Sequence, residues 1–168
     1  MPGDSQVDLI ANRPMEIRAS LEPTWSTVRQ IRAQVGEQLA HLSSELSLAS
    51  QMVAAELLEN AVKYGEAVPR APDISFLFSV VGKEVTIVVS NGATARESVR
   101  QLIDRIAQLR EAPDPGALYL SRLQELMDDP TVRSTGLGLY RIGYEGHFAM
   151  ACEYQDEVVT VTATRSIS

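Results

Sequence analysis

The chain of 168 residues contains one cysteine, Cys152. A single thiol can form neither an intramolecular disulfide nor a cysteine metal cluster. The residues around it alternate as in a strand, so it reads as a small buried hydrophobe rather than a nucleophile. Histidine is almost as scarce. His41 and His147 are the only two, too far apart in sequence to suggest a metal site, and His147 is placed to open a strand. Positive charge is in deficit as well: 15 Lys and Arg face 22 Asp and Glu, for a net charge of −7. Nucleic acids and anionic membranes are held by clustered basic residues, so neither is expected as a partner. No apolar run approaches the roughly 20 residues of a membrane span. Met1 to Ser5 carry no basic region followed by an apolar stretch, so no signal peptide is expected and the reading is a soluble cytoplasmic protein. Internal repeats and low-complexity tracts are also missing.

What is present suits one compact domain with a real core. Residues 1–13 are polar and expected to be flexible, leaving a single unit over 14–168. Met15, Ile17, Ala19 and Leu21 alternate with polar residues, predicting a half-buried strand. From Trp25 to Leu42 the apolar set Val28, Ile31, Val35, Leu39 and Leu42 follows helical spacing. A second helix is predicted from about Ser47 to Tyr64, ending at Gly65 as a left-handed cap. It is apolar over most of its circumference and is expected to be central. Strands over Ile74–Val81 and Val85–Val89 form a hairpin around Gly82-Lys83-Glu84, and Ser90-Asn91-Gly92 reads as a turn. Helical spacing over Ala95–Glu111 and again from Leu118 to Pro130 predicts a helical hairpin at about 95–130. Ordinary packing on the domain is one role for that hairpin; a lid or partner-binding arm is the other. A helix from Leu137 to about Tyr144 and two antiparallel strands complete the chain. The expectation is an α/β two-layer sandwich, a mixed β-sheet with helices on one face and a helical insertion.

Two motifs carry chemistry. In Glu56-Leu57-Leu58-Glu59-Asn60-Ala61-Val62-Lys63, positions 56, 60 and 63 share one helix face. A carboxylate, an amide and an ammonium thus converge on a helix otherwise expected to be buried, where polar groups need partners. The amide oxygen of Asn60 suits Mg²⁺, the Lys63 ammonium suits phosphate as a point charge, and the Glu56 carboxylate suits a general base. A structural alternative has Lys63 snorkelling at the helix end and Asn60 bonded to backbone. The second motif, Ser134-Thr135-Gly136-Leu137-Gly138-Leu139, places glycines at a helix entrance. Backbone N–H groups can approach an anion there.

This order of elements and motifs resembles the GHKL ATPase superfamily, whose ATP-binding architecture is the Bergerat fold. The resemblance spans about residues 15–164. Glu56 to Lys63 resembles the family's N box, which implies a catalytic base at Glu56, Mg²⁺ binding at Asn60 and a phosphate neighbour at Lys63. Thr135 to Leu139 resembles the second glycine box, implying that Thr135, Gly136, Leu137 and Gly138 wrap the triphosphate of ATP. The finer resemblance is to stand-alone anti-sigma-factor-type and SiaB-type serine/threonine kinases. It implies a bacterial signalling regulator that phosphorylates a small partner protein, similar to an anti-sigma antagonist or a sigma factor, in a partner-switching pathway, and that forms a homodimer.

One motif departs from the family. The first glycine box is usually D-x-G-x-G, with the aspartate accepting a hydrogen bond from adenine; here Ser90-Asn91-Gly92-Ala93-Thr94 stands in its place. Ser90 or Asn91 is then left to accept that bond as a neutral group, with Gly92 beside them. The alternative function is a nucleotide-independent binding protein that keeps the fold and sequesters a regulatory partner. A ligand-free oligomeric scaffold is the third reading.

Overall fold

The computed structural model describes residues 15–129 and 137–167. The expected flexible stretch over 1–13 therefore lies outside the described residues. Five strands and five helices follow one another as β1 (Met15–Leu21), α1 (Trp25–Leu39), α2 (Ser44–Tyr64), β2 (Ile74–Val81), β3 (Glu84–Gly92), α3 (Arg96–Glu111), α4 (Pro115–Asp128), α5 (Leu137–Tyr144), β4 (Ala149–Gln155) and β5 (Val158–Ser166). Together they make an α/β sandwich.

The sheet runs in the order β1-β2-β3-β5-β4, and each of its four pairings is antiparallel. The sequence reading expected a mixed sheet, and a helical crossover such as the one between β3 and β4 can make parallel neighbours. The final hairpin instead docks through its second strand. β5 enters between β3 and β4, Val89 opposite Val161 and Cys152 opposite Val161 on the other side, so every direct neighbour is antiparallel.

Alternation fixes which face meets the helices. Phe76, Phe78, Val85, Ile87 and Ala163 are fully buried, and they meet Val35, Leu39, Val53, Leu58 and Ile142 in one continuous core. Helix α1 starts where the Thr24 hydroxyl accepts from the Thr27 N–H, and α2 where Ser43 accepts from Leu46 N–H at 3.2 Å; both are side-chain N-caps. Helix α1 ends at Leu39 and the Ser43 cap starts α2 at Ser44, so the connection lies about three residues earlier than the pattern suggested. Helix α2 buries ten residues, from Leu46 to Ala61, and is the central helix expected. Its first turn is pinned to β5 by Arg165, which donates to both oxygens of Glu45 at 3.0 and 2.7 Å and to the Gly146 carbonyl at 3.0 Å.

Three local expectations are corrected. Gly65 closes α2 with extended backbone (φ −74°, ψ 152°) rather than a left-handed cap. The reason for glycine there is space, since a Cβ would run into the Ala61 carbonyl, which accepts the Gly65 N–H. Ser90, Asn91 and Gly92 are not a turn but the last residues of β3, paired with Thr160, Val159 and Val158. Gly92 ends the strand with its carbonyl accepting from Glu66 N–H at 2.8 Å, an approach that any Cβ would block. His147 precedes β4 rather than opening it, and takes a positive φ of 55°. Among the described residues no helix is long and apolar enough to cross a membrane.

Candidate functional site

A cavity of about 350 Å³ lies between α2, α3 and the helix-facing side of β3 and β5, within the range of small-molecule sites. Its walls are mostly apolar, with Leu57, Ala61, Val89, Leu102 and Leu139 among them. Three amides interrupt that surface, Gln101 on α3 and two asparagines. Asn60 comes from the middle of the motif on α2, and Asn91 from the end of β3. Asn60 is half-buried and makes no hydrogen bond with a described residue, so its donor and acceptor capacity is available to a ligand. The Asn91 Nδ2 donates to the Gly92 carbonyl at 2.9 Å, which orients the amide.

Strand parity separates Ser90 from this cavity. Val85, Ile87 and Val89 point to the helices, so Asn91 shares their face and Ser90 takes the opposite one. There its hydroxyl is 2.8 Å from the Thr160 hydroxyl on β5. Of the two neutral candidates for an adenine contact, the structure brings only Asn91 to the cavity. Gly92 serves the close approach of the Glu66 backbone and of Val68.

Glu56 stands one turn before Asn60, with a side chain only 18% exposed. Its carboxylate is packed against Gly138 in the first turn of α5, where an added Cβ would collide with Glu56 Oε2. The structure thus joins the α2 motif to the glycine motif at this point. Leu137 opens α5 beside it, half-buried, while Thr135 and Gly136 lie outside the described residues. Burial raises the Glu56 carboxyl above its ordinary pKa, helped by the neighbouring Glu59 charge and opposed by Arg141 and Lys63. Lys63 sits exposed in the last turn of α2 with no ion pair among the described residues.

The residue that touches Glu56 most directly belongs to neither motif. Arg141 Nη1 reaches Glu56 Oε1 at 3.0 Å, and Arg141 Nε reaches Glu145 at 3.1 Å. The Arg141–Glu145 spacing of four is visible on a helix; the contact across 85 positions has no local signal. Leu139, which lines the cavity, was also missed, although it ends the glycine motif.

A larger cleft of about 780 Å³ lies between α3 and the β4–β5 turn, lined by Arg70, Arg96, Arg100, Tyr154 and Asp156 among others. It holds none of the motif residues. Arg70 is already paired with Asp156 at 3.0 Å on an exposed surface. Chemistry, not size, makes the smaller cavity the candidate site.

No protein-family model and no curated relative matches the sequence. Among solved structures, the chain is similar to a chain in the crystal structure of the SiaB–SiaC complex from Pseudomonas aeruginosa. The TM-score is 0.69 at 15% identity, over 95% of this chain and 98% of that one. The two share a fold across essentially their whole lengths.

Proposed function

We propose that the chain is an Mg-ATP-binding signalling regulator that transfers a phosphoryl group to a serine or threonine hydroxyl of a small partner protein. The observation that carries this reading is the half-buried Asn60 amide, unpartnered among the described residues and facing a largely apolar cavity, one turn after the Glu56 carboxylate that packs on Gly138. Its amide atoms are not sealed from solvent, so a ligand in the cavity can bond them directly. The similar structure was solved as a complex of two proteins, which supports a protein rather than a metabolite as the acceptor.

The roles follow from position. The apolar walls would take adenine, with Asn91 as its polar contact. Asn60 would hold Mg²⁺ through its amide oxygen, and Lys63 would face the phosphates from the last turn of α2. Mg²⁺, when bound, neutralises phosphate charge. Phosphoryl transfer needs chiefly positioning and such neutralisation. Glu56 accepts the proton of the incoming hydroxyl, a role suited to a carboxyl whose pKa burial has raised toward working pH. Calorimetric titration with ATP and Mg²⁺ tests the reading: saturable binding is expected, and its loss in Asn60→Ala. Wild-type protein that takes up no ATP at millimolar concentration would overturn it.

One observation favours the second reading, a nucleotide-independent protein that sequesters a partner. The family's aspartate position is Ser90, turned to the far face of the sheet. Under that reading a partner complex forms in the complete absence of nucleotide and is indifferent to Asn60→Ala.

A further inference from the structure

A polar chain leads from the candidate base to the helical insertion. Arg141 on α5 presents two edges of one guanidinium to two carboxylates, Nη1 to Glu56 and Nε to Glu145 at 3.0 and 3.1 Å. The other oxygen of Glu145 accepts from the Tyr119 hydroxyl of α4 at 3.2 Å. The Tyr119 ring also lies against Tyr144 of α5, centroids 5.6 Å apart and tilted by 34°. Gly116 in the first turn of α4 is small enough for Tyr144 to approach; a Cβ there would come within 2.8 Å of that ring. Glu145 and Tyr119 thus fix one edge of a rigid planar group whose other edge holds Glu56.

We propose that Arg141 is a positioning residue for the Glu56 carboxylate, and that Tyr119 of the insertion, acting through Glu145, sets how Arg141 holds it. This rests on Glu56 being the base of the proposed transfer. The insertion is then a part of the catalytic apparatus and not only a cover. A partner that tilts α4 changes the aim of Glu56 without touching it. An ordinary i,i+4 stitch between Arg141 and Glu145 would leave the second edge of the guanidinium in solvent; here it crosses to α2, to a carboxylate already packed on Gly138. The charged groups facing Glu56 are Glu59 and Lys63 from α2 and Arg141 from α5. Arg141 in turn faces Glu145 and Tyr119.

The test is a carboxyl-carbon NMR titration of Glu56 in the full chain, its signal assigned by loss in Glu56→Gln. Arg141 opposes protonation of Glu56, so Arg141→Met is expected to move the Glu56 midpoint upward. Arg141→Lys should restore part of the change, and Tyr119→Phe should move it in the same direction by less. A midpoint unmoved in both Arg141→Met and Arg141→Lys overturns the positioning role, and one unmoved by Tyr119→Phe overturns the part given to the insertion. In turnover with Mg-ATP, Arg141→Met should lower kcat roughly 10- to 100-fold with KM for ATP unchanged. The acid limb of the rate profile should move to higher pH. If the wild type neither binds nor turns over ATP, the proposed function fails, and the titration still decides whether the relay exists.

Discussion

Helices α2 and α4 are built from similar residues and live in different worlds. Both carry four leucines and one methionine, good helix formers. Of the 21 residues of α2 ten are buried, pressed between α1, the sheet and α5. Of the 14 residues of α4 only Gly116 is buried, while Leu120 and Met127 stand 62% and 77% exposed. Composition therefore makes the helix, and tertiary position decides whether its apolar side chains hold the fold or remain available for contact. The Glu56–Gly138 contact lies where the two regimes meet, because α5 packs on both α2 and α4.

The largest break in this comparison should come from the sheet layer. Phe78→Ala empties a fully buried position and is expected to cost about 3–5 kcal/mol, lowering Tm by roughly 10 °C. Leu120→Ser on α4 should stay within about 0.5 kcal/mol. Equal losses in a thermal melt would erase the distinction. Hydrogen exchange sharpens it without mutation. The amides of Val53 to Leu58 should open only with global unfolding, and those of α4 through local opening several kcal/mol lower.

A smaller effect is expected at the pin between α2 and β5. Arg165→Met should cost about 1–2 kcal/mol at neutral pH by removing hydrogen bonds to Glu45 and to the Gly146 carbonyl. Its hydrogen bond with Arg165 holds the Glu45 carboxyl below its ordinary pKa. A depressed pKa contributes stability above the unfolded value that is lost as pH falls through the folded one. The gap between wild type and variant in denaturant melts should therefore narrow below about pH 4, leaving the share of the Gly146 hydrogen bond.

The smallest change has the opposite sign. Glu56 has a raised pKa, so its protonated form fits the fold better, and that advantage is lost as pH rises through the raised value. Glu56→Gln keeps the neutral shape and should melt about 1–3 °C above wild type at pH 7. The difference should vanish below about pH 4, where both side chains are neutral. A lower Tm at pH 7 would mean that the Arg141 pair outweighs burial.

Much of this architecture could be read in advance where a period was long enough to count. The alternation in Met15–Leu21 and the helical spacing of Leu137–Tyr144 gave both elements at their observed bounds. Ser90–Gly92 was misread because glycine was taken as a turn signal, whereas Gly92 is there to admit the Glu66 backbone. The parity of Val85, Ile87 and Val89 already placed Asn91, not Ser90, on the buried face. The motif on α2 and the glycines near α5 were legible as separate pieces, and their meeting at Glu56 and Gly138 is a tertiary fact. Arg141 was invisible for the same reason. Nothing within four positions of it reports a partner on α2.

The position of β5 has a consequence for how the molecule comes together. The strand that joins β3 to β4 follows both of them in the chain, after the whole helical insertion. Any nascent chain or fragment that stops before Val158 leaves the outer edge of β3 without the partner it has here, and β4 with nothing to join. Closing Val89 onto Val161 spans some 70 residues, an entropic toll that grows only slowly with length, so a longer or shorter insertion would barely alter it. Loss of the last nine-residue strand would instead leave an open sheet edge prone to pairing with other chains. The assembly is forgiving about what lies in the middle and exacting about its close.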